Sequence, residues 1–105
     1  MTLQKFDSKE MISLIKSAYI PLLEDFISRK ISIEQFDSCF IKLFMTEKPG
    51  CGYNTFDVLE TIRGDLECYE PDSDPQRWPI ELGEQELYKN CQENLAKLKQ
   101  IVEQA

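Results

Sequence analysis

The residues with the clearest chemical potential in this sequence are the carboxylates between positions 65 and 86. This stretch of 22 residues holds eight acids and one base, Arg77, so its net charge is −7. The other 83 residues carry eleven acids and eleven bases. A charged patch on an otherwise balanced chain produces a directional field that suits a basic partner. Closely spaced carboxylates can also imitate the phosphates of a nucleic acid. The eight acids are Asp65, Glu67, Glu70, Asp72, Asp74, Glu81, Glu84 and Glu86.

Paired carboxylates could also share a proton or coordinate Mg²⁺ or Ca²⁺. Asp72 and Asp74 have the spacing that begins a calcium loop, but the glycine and the bidentate glutamate of such a loop are absent at the required offsets. The chain has no histidine, which is the usual acid or base at neutral pH. We therefore expect no catalytic residue, no metal site and no cofactor.

The four cysteines, Cys39, Cys51, Cys68 and Cys91, are too widely spaced to form the close pairs typical of zinc sites. We expect buried, reduced thiols, with Cys51 set apart because it lies in a predicted loop. The sequence has no apolar run near the ~20 residues of a membrane span. Its first seven residues do not resemble a secretory signal. These features predict a cytoplasmic protein that does not bind a membrane.

The composition, 42% hydrophobic and 30% charged, is that of a folded domain and not of a disordered chain. A chain of 105 residues can hide roughly two-thirds of its unfolded surface, which is enough for a core. No internal repeat and no long linker divides it. We therefore predict a single domain over residues 1–105.

Apolar residues recur at helical spacing in four segments, and no segment is a convincing strand. Short connections between such amphipathic helices predict an all-α fold, an antiparallel four-helix bundle. The segments run from near Ser8, from Ser32 to Phe44, from Asn54 or Thr55 until Pro71 ends the helix, and from about Glu84 to Val102.

Local signals refine the boundaries of these helices. Ser8 is a candidate cap for the first helix, and Ser32 with Gln35 has the spacing of a capping box. Pro21 interrupts the first helix, which either kinks there or ends and gives way to a second short segment. Residues 45–54 hold one proline and two glycines and are predicted to be a loop.

The helix before Pro71 brings several of the acids together. Glu67 and Glu70 are three residues apart, so their carboxylates point the same way. Both lie near the helix C-terminus, where the dipole disfavours an anion. Two interpretations remain open: solvated surface acids tolerated at a small cost, or a cluster relieved by a cationic partner. Asp65, Asp72 and Asp74 belong to the same cluster.

Two aromatic residues flank these acids. Tyr69 is either the last core residue of its helix or part of the rim of the acidic patch. Trp78 either folds its segment onto the bundle or anchors an interface, where tryptophan is enriched. Pro71, Pro75 and Pro79 stiffen the segment and lower the entropy lost on docking.

The stretch Gly64-Asp-Leu-Glu-Cys-Tyr-Glu-Pro-Asp-Ser-Asp74 resembles a signature of the colicin-like immunity family, which includes the inhibitor of colicin D. In that signature a helix ends in Glu-x-aromatic-Glu-Pro-Asp-x-Asp. A second segment, Lys30-Ile-Ser-Ile-Glu-Gln-Phe36, is similar to the helix opening Lys-Ile-Thr-x-x-Glu-Phe of the family. With the final helix, the resemblance covers most of the chain.

The resemblance implies a small helical antitoxin that binds the nuclease domain of a toxin in a 1:1 complex. It implies no binding of nucleic acid by the antitoxin itself. In the colicin D system the toxin cleaves transfer RNA, and acids of the inhibitor occupy the positions of RNA phosphates. By matching positions, the contacting acids here would be Glu67, Glu70, Asp72 and Asp74, with Asp65, Tyr69 and Trp78 beside them. A longer first helix and the segment bearing Trp78 depart from the family pattern.

Two other classes of function remain open from the residues alone. One is an acidic helical adaptor whose partner is not a toxin. The other is a small metal-binding or catalytic protein. Gene context distinguishes the first from an immunity protein, because an immunity gene lies directly downstream of a large toxin gene. Elemental analysis of the purified chain tests the second.

Overall fold

Helices make up most of the described part of the chain, which confirms the predicted all-α class. The computed structural model describes residues 3–46, 49–69 and 83–105. Within them, four helical runs occur. The first run consists of α1 (Lys9–Leu14), a π-helical segment (Ile15–Tyr19) and α2 (Ile20–Ile27). The other runs are α3 (Ile33–Met45), α4 (Tyr53–Cys68) and α5 (Glu84–Glu103).

The first run passes through Pro21 without a break. Proline has no N–H to donate and its ring crowds the carbonyl four residues earlier. The chain widens into a π-helical turn just before the proline, where the Ile20 N–H donates to the Ile15 carbonyl five residues back. The first helical run therefore does not end at Pro21. A π-helical turn accommodates the proline, and the run continues beyond it.

The predicted caps of the first two runs are confirmed. The Ser8 hydroxyl accepts from the Met11 N–H at 3.1 Å. Ser32 and Gln35 form a reciprocal capping box, with distances of 2.9 and 3.1 Å. Each cap satisfies N–H groups that a helix leaves without an internal partner, and so sets where the helix begins.

The connection before α4 differs from the predicted loop. Two short strands, β1 (Leu3–Gln4) and β2 (Cys51–Gly52), pair in parallel, and α4 begins at Tyr53, one or two residues before the predicted start at Asn54 or Thr55. Asp7 follows β1 and accepts from the Gly52 N–H at 2.6 Å and from the buried Thr55 hydroxyl at 2.5 Å. The Asp7 carboxylate thus supplies the cap that the α4 N-terminus lacks in its own sequence, because Gly52 has no side chain to give.

The same connection also ties to the start of α1. The Ser8 N–H donates to the Gly50 carbonyl and the Ser8 hydroxyl to the Pro49 carbonyl, both at 2.8 Å. A side chain at Gly52 would approach Asp7 and Phe6 to 3.1–3.2 Å, so glycine allows this close approach. The start of α1 and the start of α4 are therefore held together.

The core forms where α2 and α4 each pack against α5. Helix α3 completes it by packing against α2 and α4. The Phe26 ring stacks on Phe36 with centroids 4.2 Å apart and on Tyr88 at 4.4 Å. The row continues along α3 to Phe40 and Phe44. The buried Tyr19 hydroxyl donates to the Leu43 carbonyl at 3.3 Å, which ties the π-helical segment to α3. Phe44 in turn packs on Phe56 of α4 with ring centroids 6.2 Å apart, so aromatic rings join all four helical runs.

The cysteines do not all follow the prediction. Cys51 and Cys91 are buried, whereas Cys39 and Cys68 are exposed, so burial was wrong for the latter pair. Cys51 lies in β2 and not in a loop. Burial raises the pKa of the Cys91 thiol to about 12, so this group stays protonated and unreactive near neutral pH.

Candidate functional site: the acidic end

Contacts between α4 and α5 place both described flanks of the acidic stretch at the same end of the molecule. Asp65 lies in the last turn of α4 and accepts a hydrogen bond from Asn90, in the second turn of α5. The last turn of α4, which leads into the stretch, therefore lies against the second turn of α5, which follows it. We call this region, with its described residues Asp65, Glu67, Tyr69, Glu84 and Glu86, the acidic end.

Glu67 is an exposed acid that has an internal partner. Its carboxylate pairs with Arg63 one turn earlier, and its side chain is 64% exposed. Arg63 also pairs with Glu60, where its Nε lies 3.1 Å from the carboxylate oxygen. This hydrogen bond from Arg63 to Glu60 is the main cause that raises the pKa of the guanidinium. One base therefore serves two acids, and the group of three keeps a net negative charge.

An aromatic ring also positions the Arg63 side chain. Its guanidinium carbon lies 6.0 Å from the centroid of the Phe44 ring, at the end of the aromatic row of α3. A cation over an aromatic face is attracted to the ring. Arg63 lies two residues outside the charged stretch, so a count over residues 65–86 misses it. The i, i+4 spacing to Glu67 is the sequence signal that could have found it.

Asp65 faces the α4–α5 contact and is half-buried. Its Oδ2 atom is buried and has no hydrogen-bond partner among the described residues. Burial raises the pKa of this carboxyl group, and the hydrogen bond from Asn90 opposes that shift. The structure therefore separates Asp65 from Glu67: Asp65 packs between two helices, and Glu67 faces solvent.

We expect Asp65→Asn to stabilise the chain at neutral pH and to have a smaller effect in acid. A carboxyl whose pKa is raised by folding favours the folded state fully below its unfolded pKa of about 3.9. That contribution is lost as the pH rises through the pKa of Asp65 in the folded state. The wild type therefore loses stability in that range, whereas the asparagine variant has no carboxyl group to titrate and does not. The gain at pH 7 should not exceed about 1 kcal/mol, because solvent still reaches the group.

Urea unfolding at pH 7 and at pH 4 measures this difference. Asp57→Asn is the matched control, since Asp57 lies on the same helix and is exposed. An Asp65→Asn gain that is equal at both pH values would show that charge burial is not its cause.

Tyr69 is the C-cap of α4, with an extended backbone, and its half-buried ring packs against the core. This placement favours the interpretation of Tyr69 as the last core residue of its helix. The exposed part of its side chain still belongs to the acidic end. The side chain closes the core where the helix stops.

Glu84 and Glu86 both have structural partners. The Glu86 carboxylate accepts from the Gly83 N–H at 2.7 Å and so caps α5. Glu84 lies 3.5 Å from Arg29, a residue with positive φ (66°) just after α2. Lys30 N–H reaches back to the Asp25 carbonyl at 2.9 Å, which closes the end of α2 around Arg29.

Arg29 brings a second base to the acidic end. Its guanidinium carbon lies 4.2 Å from the centroid of the Tyr88 ring, at the other end of the aromatic row. The left-handed conformation costs a non-glycine residue roughly 1–2 kcal/mol. The stacking on Tyr88 and the ion pair with Glu84 offset part of that cost. Folding thus adds Arg29 and Arg63 to an end that the linear sequence shows as almost purely acidic.

Four of the predicted contact residues, Glu70, Asp72, Asp74 and Trp78, lie outside the described residues. Over the part of the chain that the structure describes, no group of three or more potential metal ligands occurs. Nor does any helix in that part have the length and apolarity to span a membrane.

A family model described as bacterial self-protective colicin-like immunity matches residues 13–98. The match covers most of the chain and includes both segments that carry the resemblance. The chain therefore belongs to the colicin-like immunity family, as the sequence predicted. It is an immunity protein against a colicin-like toxin, which it binds as an inhibitor and not as an enzyme. No curated protein and no solved structure is significantly similar to it.

Proposed function

We propose that the chain neutralises its cognate toxin by presenting the acidic end to the basic active-site cleft of a nuclease domain, a transfer-RNA-cleaving RNase, in a 1:1 complex in the cytoplasm. The observation that carries the proposal is the charge distribution: the whole net charge of −7 falls within residues 65–86. Lysines and arginines that bind RNA phosphates would pair with these carboxylates, and the complementary fields would speed the encounter.

Glu67 is the described residue best placed for this contact. It is exposed, it lies in the last turn of α4, and Arg63 holds its carboxylate in one place. A carboxylate that is already ordered loses less side-chain entropy when a partner binds. Glu70, Asp72 and Asp74 extend the proposed contact along the chain, and Asp65, Tyr69 and Trp78 stand beside it.

The proposal includes an antiparallel order of the four helical runs. Three end contacts support it: Ser8 with Gly50, Arg29 with Glu84, and Asp65 with Asn90. The first contact joins the start of the first run to the start of α4. The second joins the end of the first run to the start of α5, and the third joins the end of α4 to the start of α5. An alternating arrangement accounts for all three.

Charge reversal at the acidic end should weaken toxin binding strongly. We expect Glu67→Lys/Glu70→Lys to raise the Kd for the toxin nuclease domain by about 100-fold, because close charge pairs couple by at least about 1.5 kcal/mol each. Titration calorimetry against the nuclease domain of the toxin encoded directly upstream measures the change. Wild-type binding should also weaken with salt, since the Debye length falls from ~30 Å at 0.01 M to ~8 Å at 0.15 M.

The matched control is Asp37→Lys/Glu93→Lys, which changes the net charge equally at exposed positions of α3 and α5. Its Kd should stay within about threefold of the wild type. Co-expression of the active toxin domain with each variant gives a growth readout. Full rescue of growth and unchanged affinity in the acidic-end variant would place the toxin contact on another surface. Binding only to a non-nuclease protein would favour the adaptor alternative.

A further inference from the structure

A groove lies at the opposite end of the molecule from the acidic end. It runs between the segment before α1 and the last turn of α5, and its volume is about 580 Å³. This size falls within the range of ligand-binding clefts. Its lining includes Phe6, Ile12, Val102, Lys9, Lys16 and Gln104.

The groove has an apolar floor and a basic rim. Lys9, Ile12 and Lys16 follow helical spacing on one face of the first run, so two ammonium groups flank an apolar side chain. Lys5 adds a third, with its Nζ 5.5 Å from the centroid of the Phe6 ring. Phe6 is 73% exposed, which is unusual for a large apolar side chain beside a cleft.

The lining contains one acidic side chain, Asp7, and its carboxylate is engaged by Gly52 and Thr55. Hydrogen bonds from these neutral donors leave the negative charge of Asp7 in place, so the three lysines exceed the acidic side chains of the groove by two. The acidic end lies about 30 Å away, since α5 spans the distance with 20 residues at 1.5 Å each. At 0.15 M salt this is several Debye lengths, so local lysines set the field at the groove.

We propose that this groove binds the acidic end of a second copy of the chain, so that copies associate head to tail. Carboxylates of residues 65–86 in one copy would pair with Lys5, Lys9 and Lys16 of the next. The stretch also contains Trp78, an apolar side chain of the kind that the floor of Ile12 and Val102 would accept. The two surfaces lie at opposite ends of one molecule, so the contact joins different copies.

Such a contact uses two different surfaces and does not close on itself. A heterologous contact of this kind gives chains that grow with concentration, whereas a two-fold contact stops at a dimer. The association also occupies the acidic end, so a toxin that binds there would disperse the chains. The proposal does not depend on that proposed toxin contact, because it concerns the free protein.

Sedimentation equilibrium of the full chain at 0.15 M salt tests the proposal. We expect the weight-average mass to rise with concentration beyond that of a dimer. Lys9→Glu/Lys16→Glu, and separately the charge-neutral Phe6→Ser, should each raise the dissociation constant at least about tenfold. These side chains are exposed, so the variants should fold. Lys42→Glu/Lys97→Glu, with the same change in net charge at exposed sites outside both the groove and the acidic end, should leave association unchanged.

A direct measurement uses a labelled peptide of residues 65–86 and fluorescence anisotropy. The peptide should bind the wild type and lose affinity for the groove variants by the same factor. A wild type that stays monomeric up to about 1 mM, a mass that levels off at a dimer, or equal effects of the groove and control substitutions would each overturn the proposal. None of these measurements uses the toxin, so their failure leaves the proposed toxin contact untouched.

Discussion

Phe26→Ala is expected to cost about 3–5 kcal/mol of unfolding free energy, a large part of the stability of a domain of this size. The Phe26 ring is fully buried and lies between Phe36 and Tyr88, nearly parallel to both, with interplanar angles of 5° and 13°. Truncation leaves a cavity where α2, α3 and α5 meet and removes two ring contacts at once. The midpoint and slope of urea unfolding measure the loss.

Two other variants calibrate this result. Phe26→Leu keeps most of the volume and should cost clearly less than alanine. Phe6→Ala removes the same atoms from an exposed position and should stay within about 0.5 kcal/mol. A Phe26→Ala cost below 1 kcal/mol would contradict the packing of this ring between three helices.

Asp7→Ala should cost about 2–3 kcal/mol, although Asp7 lies outside every helix. Its carboxylate accepts from Gly52 and Thr55, and the Thr55 side chain is fully buried. Hydrogen bonds to a charged group each contribute about 1.5–3 kcal/mol, and a buried donor left without a partner adds its own desolvation cost. The α4 N-terminus also loses a nearby anion that its dipole favours. Thermal or urea unfolding shows the loss.

Asp57→Ala is the appropriate comparison, because it removes an exposed carboxylate from the same helix. It should cost only a few tenths of a kcal/mol. Asp7→Asn keeps one acceptor oxygen and should fall between the two. If Asp7→Ala and Asp57→Ala were equally mild, the Asp7 carboxylate would not be the cap of α4.

The predicted patch and the observed acidic end differ because folding adds bases from elsewhere in the chain. Arg63 precedes the stretch by two residues, and Arg29 precedes it by 36. Their guanidinium groups lie over Phe44 and Tyr88, two rings of one aromatic row, and each also pairs with acids. A count along the sequence includes only near neighbours, so it overstates the unpaired charge that the described acids present.

The helices, two of their four N-terminal caps and the family follow from local patterns in the sequence. Ser8, Ser32 and Gln35 act within one turn of their own helices, so spacing alone identifies them. The concentration of acids between α4 and α5 is also a property of the chain, whatever its fold.

The roles of the individual side chains depend on contacts between segments that are distant in the sequence. Asp7 caps a helix that begins 46 residues later, and Asp65 turns toward Asn90 while Glu67, two residues on, faces solvent. The β1–β2 pair and the groove beside α5 likewise join segments that are distant in sequence. Periodicity and spacing report local geometry, whereas these contacts depend on which helix surfaces pack together, and that is settled only when the whole core forms.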